Sequence, residues 1–458
     1  MTRTDTDLLG SLELPDDVMY GVQTERARRH FDASGTPVRP EIVRALALVK
    51  QACARANARC GYLAHAAADG IERACEEIAG GAFANQFVVD SLQGGAGTST
   101  NMNLNEVIAF RASQLAGERV HPLEHVNLHQ STNDVYPTAV RVAAIRALGD
   151  LEPAMVALLE AFQEKEREFA GVVKLGRTEL RDAVPVTLGR EFGAYAGALG
   201  RDRWRISKCV ERLRVVNLGG TAVGTGIAAP REYIFCAIET LRDVTGLGLS
   251  RAENLIDATQ NLDAFVEVSG MLRAHAVNLV KIARDLRLLA SGPEGGLGEI
   301  ELPALQPGSS LMPGKVNPVI PEMVVQAGFR VMAHDTEINL VAMSGELELN
   351  AFLPLLADAL IRSIRLLERT DTAFREHCVL GIRANADRCR DLVERSQEIL
   401  TALIPRIGHD KAVELVRLMR EKRLDVRAAV RETGCMDERE LDGLLAPENL
   451  CALGWRTP

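Results

Sequence analysis

From Pro137 to about Phe169 the apolar side chains recur at helical spacing for some thirty residues, and they do not keep to one face. Val140, Ala143, Ala144, Leu148, Leu151, Met155 and Leu158 are too many for a helix with a single buried side. The same periodicity returns at about 187–215, 230–245, 261–290, 319–343 and 346–371, after shorter helical runs within 38–90 and 102–118. Long helices joined by short Gly/Pro loops pack as a bundle. Helices apolar on more than one face need a second cover, and a sister chain is the natural one.

Composition narrows the reading further. Aromatics make up only 4% of the chain, and Ala, Leu, Arg and Glu dominate, which favours helix over strand. The 458 residues exceed one ordinary core and imply two or three domains. A net charge of −9 without any Lys/Arg block gives no footing for nucleic acid. It also means that an anionic substrate needs a local cluster of positive charge. No apolar run reaches membrane-spanning length, and the first thirty residues lack the apolar core of a secretory signal. Neither a membrane partner nor export is therefore expected. Nine scattered cysteines without a C-x-x-C pair point to reduced thiols in a cytoplasmic protein, not to a zinc or disulfide framework.

Chemistry-bearing residues gather in short blocks. Gly308-Ser309-Ser310-Leu311-Met312-Pro313-Gly314-Lys315-Val316-Asn317-Pro318 places two hydroxyls, a cation and an amide among glycines and prolines. Such groups hold a small carboxylate and move a proton beside it. The nearby Ser291-Gly292-Pro293-Glu294-Gly295-Gly296 is glycine-rich enough to act as a lid. Hydroxyl and amide donors cluster again at Thr98-Ser99-Thr100-Asn101 and Ser131-Thr132-Asn133. Taken singly, each cluster reads more readily as a turn or helix cap.

Together with Leu9-Gly10 through Val22-Gln23-Thr24, Gly94–Asn103, Gln130–Asp134, Gly176-Arg177-Thr178 and Leu218–Gly226, these blocks resemble, in order and over nearly the whole chain, the aspartase/fumarase superfamily. That resemblance implies a mainly α, three-domain fold: an N-terminal helical domain (1–136), a central long-helix bundle (137–385) and a small C-terminal helical domain (386–458). It also implies a homotetramer with a twenty-helix core and active sites shared by three subunits. The reaction implied is elimination of ammonia, water or a larger group from a succinyl skeleton, without metal or organic cofactor.

By resemblance Ser309 is the general base. Ser310, Thr98, Ser131 and Thr132 hold the carboxylate that gains charge, while Lys315 and Asn317 hold the other. Asn133 and Thr178 face the leaving group, and Ser99, Thr100, Asn101 and Met312 complete the wall. Ala96, Thr132 and Asp182-Ala183-Val184-Pro185 lean toward the ammonia-lyases that act on aspartate, whereas Gly220 leans toward fumarases.

Three positions depart from the family pattern: Glu179 stands where relatives carry His or Gln, Glu294 where they carry Arg, and His129 where they usually carry Ser. A Glu179–Glu322 carboxylate pair would replace an imidazole–carboxylate pair, and could receive a cationic leaving group. His129 is either a replacement imidazole on the substrate wall or a packed side chain. His121, His125 and His129 are spaced like a helical metal stripe, but Pro122 interrupts it and no metal is expected. The expectation is a lyase acting on L-aspartate or a close analogue. The alternatives are a specialised C–N or C–O lyase on an N-substituted aspartate or malate, and a scaffold that kept the fold without the chemistry.

Overall fold

The computed structural model describes residues 2–450 and Gly454. Cys451 and the last residues of the expected C-terminal domain lie outside them. Helices dominate. The chain opens with a hairpin of β1 (Thr2–Asp7) and β2 (Gly10–Pro15). Helices α1 (Val22–His30), α2 (Pro40–Arg59), α3 (His65–Ala79), α4 (Thr98–Ala116) and α5 (Thr132–Glu168) follow. A second antiparallel hairpin, β3 (Val173–Thr178) and β4 (Arg181–Thr187), precedes α6 (Leu188–Leu213) and α7 (Arg231–Thr245). Next come α8 (Leu255–Gln260), α9 (Asp263–Leu289), α10 (Val319–Ala342), α11 (Leu353–His377) and α12 (Ala386–Arg395), then short helices to Leu450.

Two compact units emerge. The first comprises 1–152, 204–274 and 329–368; the second comprises 153–203, 275–328 and 369–458. Each of the five long helices, α5, α6, α9, α10 and α11, contributes one segment to each unit. In the first unit α5 buries Val135, Tyr136, Ala139, Val140, Val142, Ala143, Ala144, Leu148 and Leu151, on all sides of the helix. In the second, Phe162, Phe169, Phe192, Tyr195 and Phe374 form an aromatic cluster with centroids 5.2 to 6.0 Å apart. A separate core gathers Leu175 of β3 with Val393, Ile399, Leu400, Leu415, Val426 and Leu441.

One expectation needs correction in detail. The periodic run beginning at 346 starts as a helix only at Leu353, because Glu346 bridges Leu349 in a turn with Leu347 at φ 51°. Pro354 then suits the first turn of α11, where its missing N–H costs nothing. The hairpins carry no strand signal strong enough to be seen in a helix-rich sequence. All eight described cysteines are free thiols. No helix among the described residues is long and apolar enough to cross a membrane.

Candidate active site

In the first unit three of the sequence blocks converge. α4 starts at Thr98 because Gly97 holds φ 97° and lies against Tyr136, whose ring would sit 2.6 Å from any added Cβ. One turn on, buried Asn101 donates through Nδ2 to Thr132 Oγ1 and to Asn127 Oδ1, both at 3.2 Å. The buried Thr132 oxygen accepts that bond, which leaves its own O–H to donate to another group. Ser131 behaves alike: its Oγ receives the Asn133 N–H at 3.2 Å.

Asp134 ties this segment to the Leu218–Gly226 block. Its carboxylate accepts the N–H groups of Ser131 (3.1 Å), Gly219 (3.1 Å) and Thr221 (3.0 Å). Burial raises its pKa to about 6, against the pull of those N–H donors. Asn133 Nδ2 donates to Ala222 O at 2.7 Å, and Asn217 Nδ2 donates to Asn133 O at 2.9 Å.

Not every hydroxyl named from sequence faces outward. Thr100 is buried and spends its Oγ1 on Gln93 at 2.9 Å, so it shapes the loop and does not offer itself to a ligand. Thr98 is exposed and donates to Gly95 O at 2.7 Å, and Ser99 is half-buried beside it.

His129 sits at φ 60° in an aromatic pocket, 5.1 Å from Tyr62 and 5.3 Å from Tyr233 between ring centroids. Asn57 donates through Nδ2 to Cys53 O and Leu128 O, which leaves its Oδ1 as the acceptor for His129 Nδ1–H at 2.6 Å. Burial lowers the imidazole pKa, so the ring is neutral. His121 and His125 use their Nδ1 atoms to accept backbone N–H groups around the turn Pro122–Val126. Their spacing therefore serves a cap.

Sequence reasoning missed Lys50. Its side chain is fully buried on α2, and Nζ donates to Asn127 Oδ1 and Gln130 Oε1, both at 2.8 Å. The only sign was one Lys inside an otherwise apolar run, Ala45-Leu46-Ala47-Leu48-Val49-Lys50.

The second unit carries the remaining blocks. In the signature loop, Ser309 Oγ accepts the N–H groups of Leu311 at 3.1 Å and Met312 at 2.9 Å. Two N–H groups on one oxygen favour its deprotonated form. The loop is closed at its neck, where Gly308 N donates to Lys315 O and Asn317 Nδ2 to Gly308 O, both at 2.7 Å. A Cβ on Gly308 would lie 2.7 Å from Asn317 N, which is why this position needs glycine. Ser310, Met312 and Lys315 are exposed.

Thr178 and Glu179 end the β3–β4 hairpin, in the two-residue turn Glu179-Leu180 with φ 54° and 63°. Positive φ at both positions is the type I′ pattern that Asn-Gly normally supplies. Glu179 is exposed, and Glu322 lies 3.6 Å from Arg287. Among the described residues no hydrogen bond joins Glu179 to Glu322.

Below the turn a buried charge cluster fixes the hairpin. Glu299 meets Arg177 at 2.9 Å and Lys174 at 3.2 Å, and Lys174 also meets Glu191 at 3.1 Å. Arg388 of α12 holds the Ser291–Gly298 loop through Leu297 O (3.0 Å) and Gly296 O (3.1 Å), and leaves Glu294 exposed. No cluster of three or more metal-ligating side chains occurs among the described residues.

Comparison with known proteins agrees with this layout. The model of a family described as lyase matches residues 10–333, and that of the fumarase C C-terminus matches 399–452. An aspartate ammonia-lyase of Pseudomonas fluorescens is 49% identical over 459 aligned positions, covering 98% of this chain and 96% of its own. A fumarate lyase:delta crystallin from Brucella melitensis, solved with cobalt bound, superposes with a TM-score of 0.95 at 46% identity, covering 98% of this chain and 99% of its own. A class II fumarase from Schistosoma mansoni superposes at 0.92 but with 32% identity, covering 98% of each chain.

Proposed function

The chain belongs to the lyase family whose model spans residues 10–333, and from that premise we propose how it works. It is a carbon–nitrogen lyase that removes ammonia from L-aspartate to give fumarate. The hard step is loss of a weakly acidic C3 proton, which drives a second negative charge onto the neighbouring carboxylate. Ser309 takes that proton. The observation that carries this assignment is the pair of N–H groups on Ser309 Oγ, poised to stabilise the alkoxide.

Ser310, Thr98, Ser131 and Thr132 donate to the carboxylate that gains charge; Thr132, whose oxygen already accepts from Asn101, is the clearest donor. Lys315 and Asn317 hold the other carboxylate. Asn133 and Thr178 face the amine, and Glu179 presents an anion to it from the exposed turn. That anion also favours a second reading, in which a substituted amine on the aspartate nitrogen is the leaving group. His129, held by Asn57 and two tyrosines, supports the wall by packing.

The donors of the first unit and the signature loop of the second come from different chains of a cytoplasmic homotetramer. Support for assembly comes from α10. Its exposed positions Phe329, Ala333, Thr336 and Leu340 are spaced 4-3-4, the seam of packed helices, and Met343 in the turn just after the helix continues the spacing. Phe329, Leu340 and Met343 are 56%, 58% and 78% exposed, more apolar surface than a lone helix leaves in water.

The test is fumarate release by Ser309→Ala in an assembly of four chains. Turnover is expected to fall about 10³-fold with KM little changed. Turnover within threefold of the parent would remove Ser309 from the mechanism.

A further inference from the structure

A lysine with no solvent exposure normally has a carboxylate beside it, because an unpaired buried ammonium is costly. Lys50 is fully buried, and among the described residues no carboxylate lies within ion-pairing distance of it. Its partners are two neutral amide oxygens. Asp134, the buried carboxylate whose charge acts on Lys50, makes no hydrogen bond to it and accepts three backbone N–H groups instead.

Those amide oxygens lead straight to the substrate donors. Asn127 Oδ1 takes the Lys50 ammonium together with the Nδ2 groups of Asn101 and Asn105, each at 3.2 Å. The same Asn101 Nδ2 touches Thr132 Oγ1. A single amide oxygen therefore stands between Lys50 and the group that fixes the Thr132 hydroxyl. Gln130, the other partner, directly precedes Ser131 and is locked by its own Nε2 to Val126 O and Leu128 O.

We propose that Lys50 is a positioning residue of the elimination: its buried ammonium orients Asn127 and Gln130 and supplies the unpaired positive charge against which the carboxylate on Ser131 and Thr132 gains its second negative charge. This inference rests on the proposed elimination and deepens it. No carboxylate is hydrogen-bonded to Lys50, so the ammonium is not held in an ion pair and its field reaches the ligand as well as Asp134. In a site shielded from water, such a fixed charge acts far more strongly than at a surface.

The groups facing Lys50 are Cys53 on α2, Cys75 on α3, Asp134 on α5, and the uncharged amides of Asn101, Asn105, Asn127 and Gln130. Burial pushes the Cys53 thiol up to about 12 and raises Cys75 further, so both remain uncharged near neutrality. Burial also lowers Lys50 to about 8, with Cys53 and Asp134 opposing it. The ammonium is present below that value and lost above it, so turnover falls as pH rises through it.

The decisive variant is Asn127→Asp, which keeps the shape and gives Lys50 a carboxylate. A merely structural lysine would be satisfied by the new ion pair. The proposal instead expects a folded, assembled protein whose kcat falls about a hundredfold, more than KM changes. Lys50→Arg keeps the charge at all accessible pH, and is expected to lose the alkaline fall of kcat that the proposal expects in the parent. Fumarate binding, read by calorimetry, separates this idea from the substrate assignment. A parent that binds fumarate but leaves aspartate untouched overturns the aspartate reading; Asn127→Asp binding fumarate at least tenfold more weakly still supports Lys50. An Asn127→Asp variant with kcat within threefold of the parent, or with unchanged fumarate affinity in a parent inert to aspartate, overturns the proposal. So does an alkaline fall retained in Lys50→Arg.

Discussion

Two buried lysines sit in opposite circumstances. Lys174, in the second unit, meets Glu299 and Glu191, while Glu299 also takes Arg177, so every charge there has a counter-charge. Lys50, in the first unit, donates only to neutral amide oxygens. Matched charges are worth their desolvation when they hold a backbone in place; here they hold the hairpin that carries Thr178 and Glu179. An unmatched buried charge lowers stability, and a fold keeps one where the charge itself is used. The contrast teaches where structure ends and chemistry begins, without reference to any bound ligand.

The comparison breaks most easily at Glu299. Glu299→Gln leaves Lys174 and Arg177 short of charge, and is expected to cost about 3–5 kcal/mol of stability, read from the denaturation midpoint. A loss below about 1 kcal/mol would show that the cluster is not the fixture described, because that is what a surface pair is worth.

A second paired site sharpens it. His275 lies fully buried between Asp202, 3.0 Å from Nδ1, and Asp371, 3.0 Å from Nε2. Burial works against its charge, but the two aspartates outweigh burial and raise its pKa to about 9. A folded-state pKa above the unfolded 6.5 stabilises fully below pH 6.5, and the gain is lost as pH rises through about 9. Across that window stability should decline by on the order of 3 kcal/mol. In His275→Gln the decline is expected to vanish; a decline of equal size would place its origin elsewhere.

The hairpin turn tests strain against use. Glu179 and Leu180 both hold positive φ, which costs a residue with a side chain of order 1–2 kcal/mol. Glu179→Gly should therefore raise stability by about 1 kcal/mol while lowering turnover with aspartate. Faster turnover in that variant would mean that the carboxylate has no part in catalysis. The smallest effect belongs to the exposed pair Arg390–Asp387, where Arg390→Gln should leave the denaturation midpoint unmoved in salt.

Much of the fold was legible because its signal is long. The thirty-residue apolar period around Val140 and Leu148 survives any local exception, and α5 runs from Thr132 to Glu168. The blocks around Asn101, Asn133 and Ser309 were legible because their residue types and order repeat a known pattern. The β3–β4 turn was not, since Glu179-Leu180 has none of the chemistry that marks a type I′ turn. Nor was Lys50, because a lone lysine in a helix reads as a solvated face until its burial is known. His121 and His125 show how a metal-like spacing can serve the backbone instead, since their Nδ1 atoms accept N–H groups around the turn Pro122–Val126.

The most direct measurement is absorbance in the fumarate band for the purified chain with L-aspartate, run beside L-malate. Prompt growth with aspartate and none with malate is the expected result. Growth with malate alone, or silence with both from a folded protein, would contradict it. Amine-substituted aspartates would then be the substrates to try against Glu179.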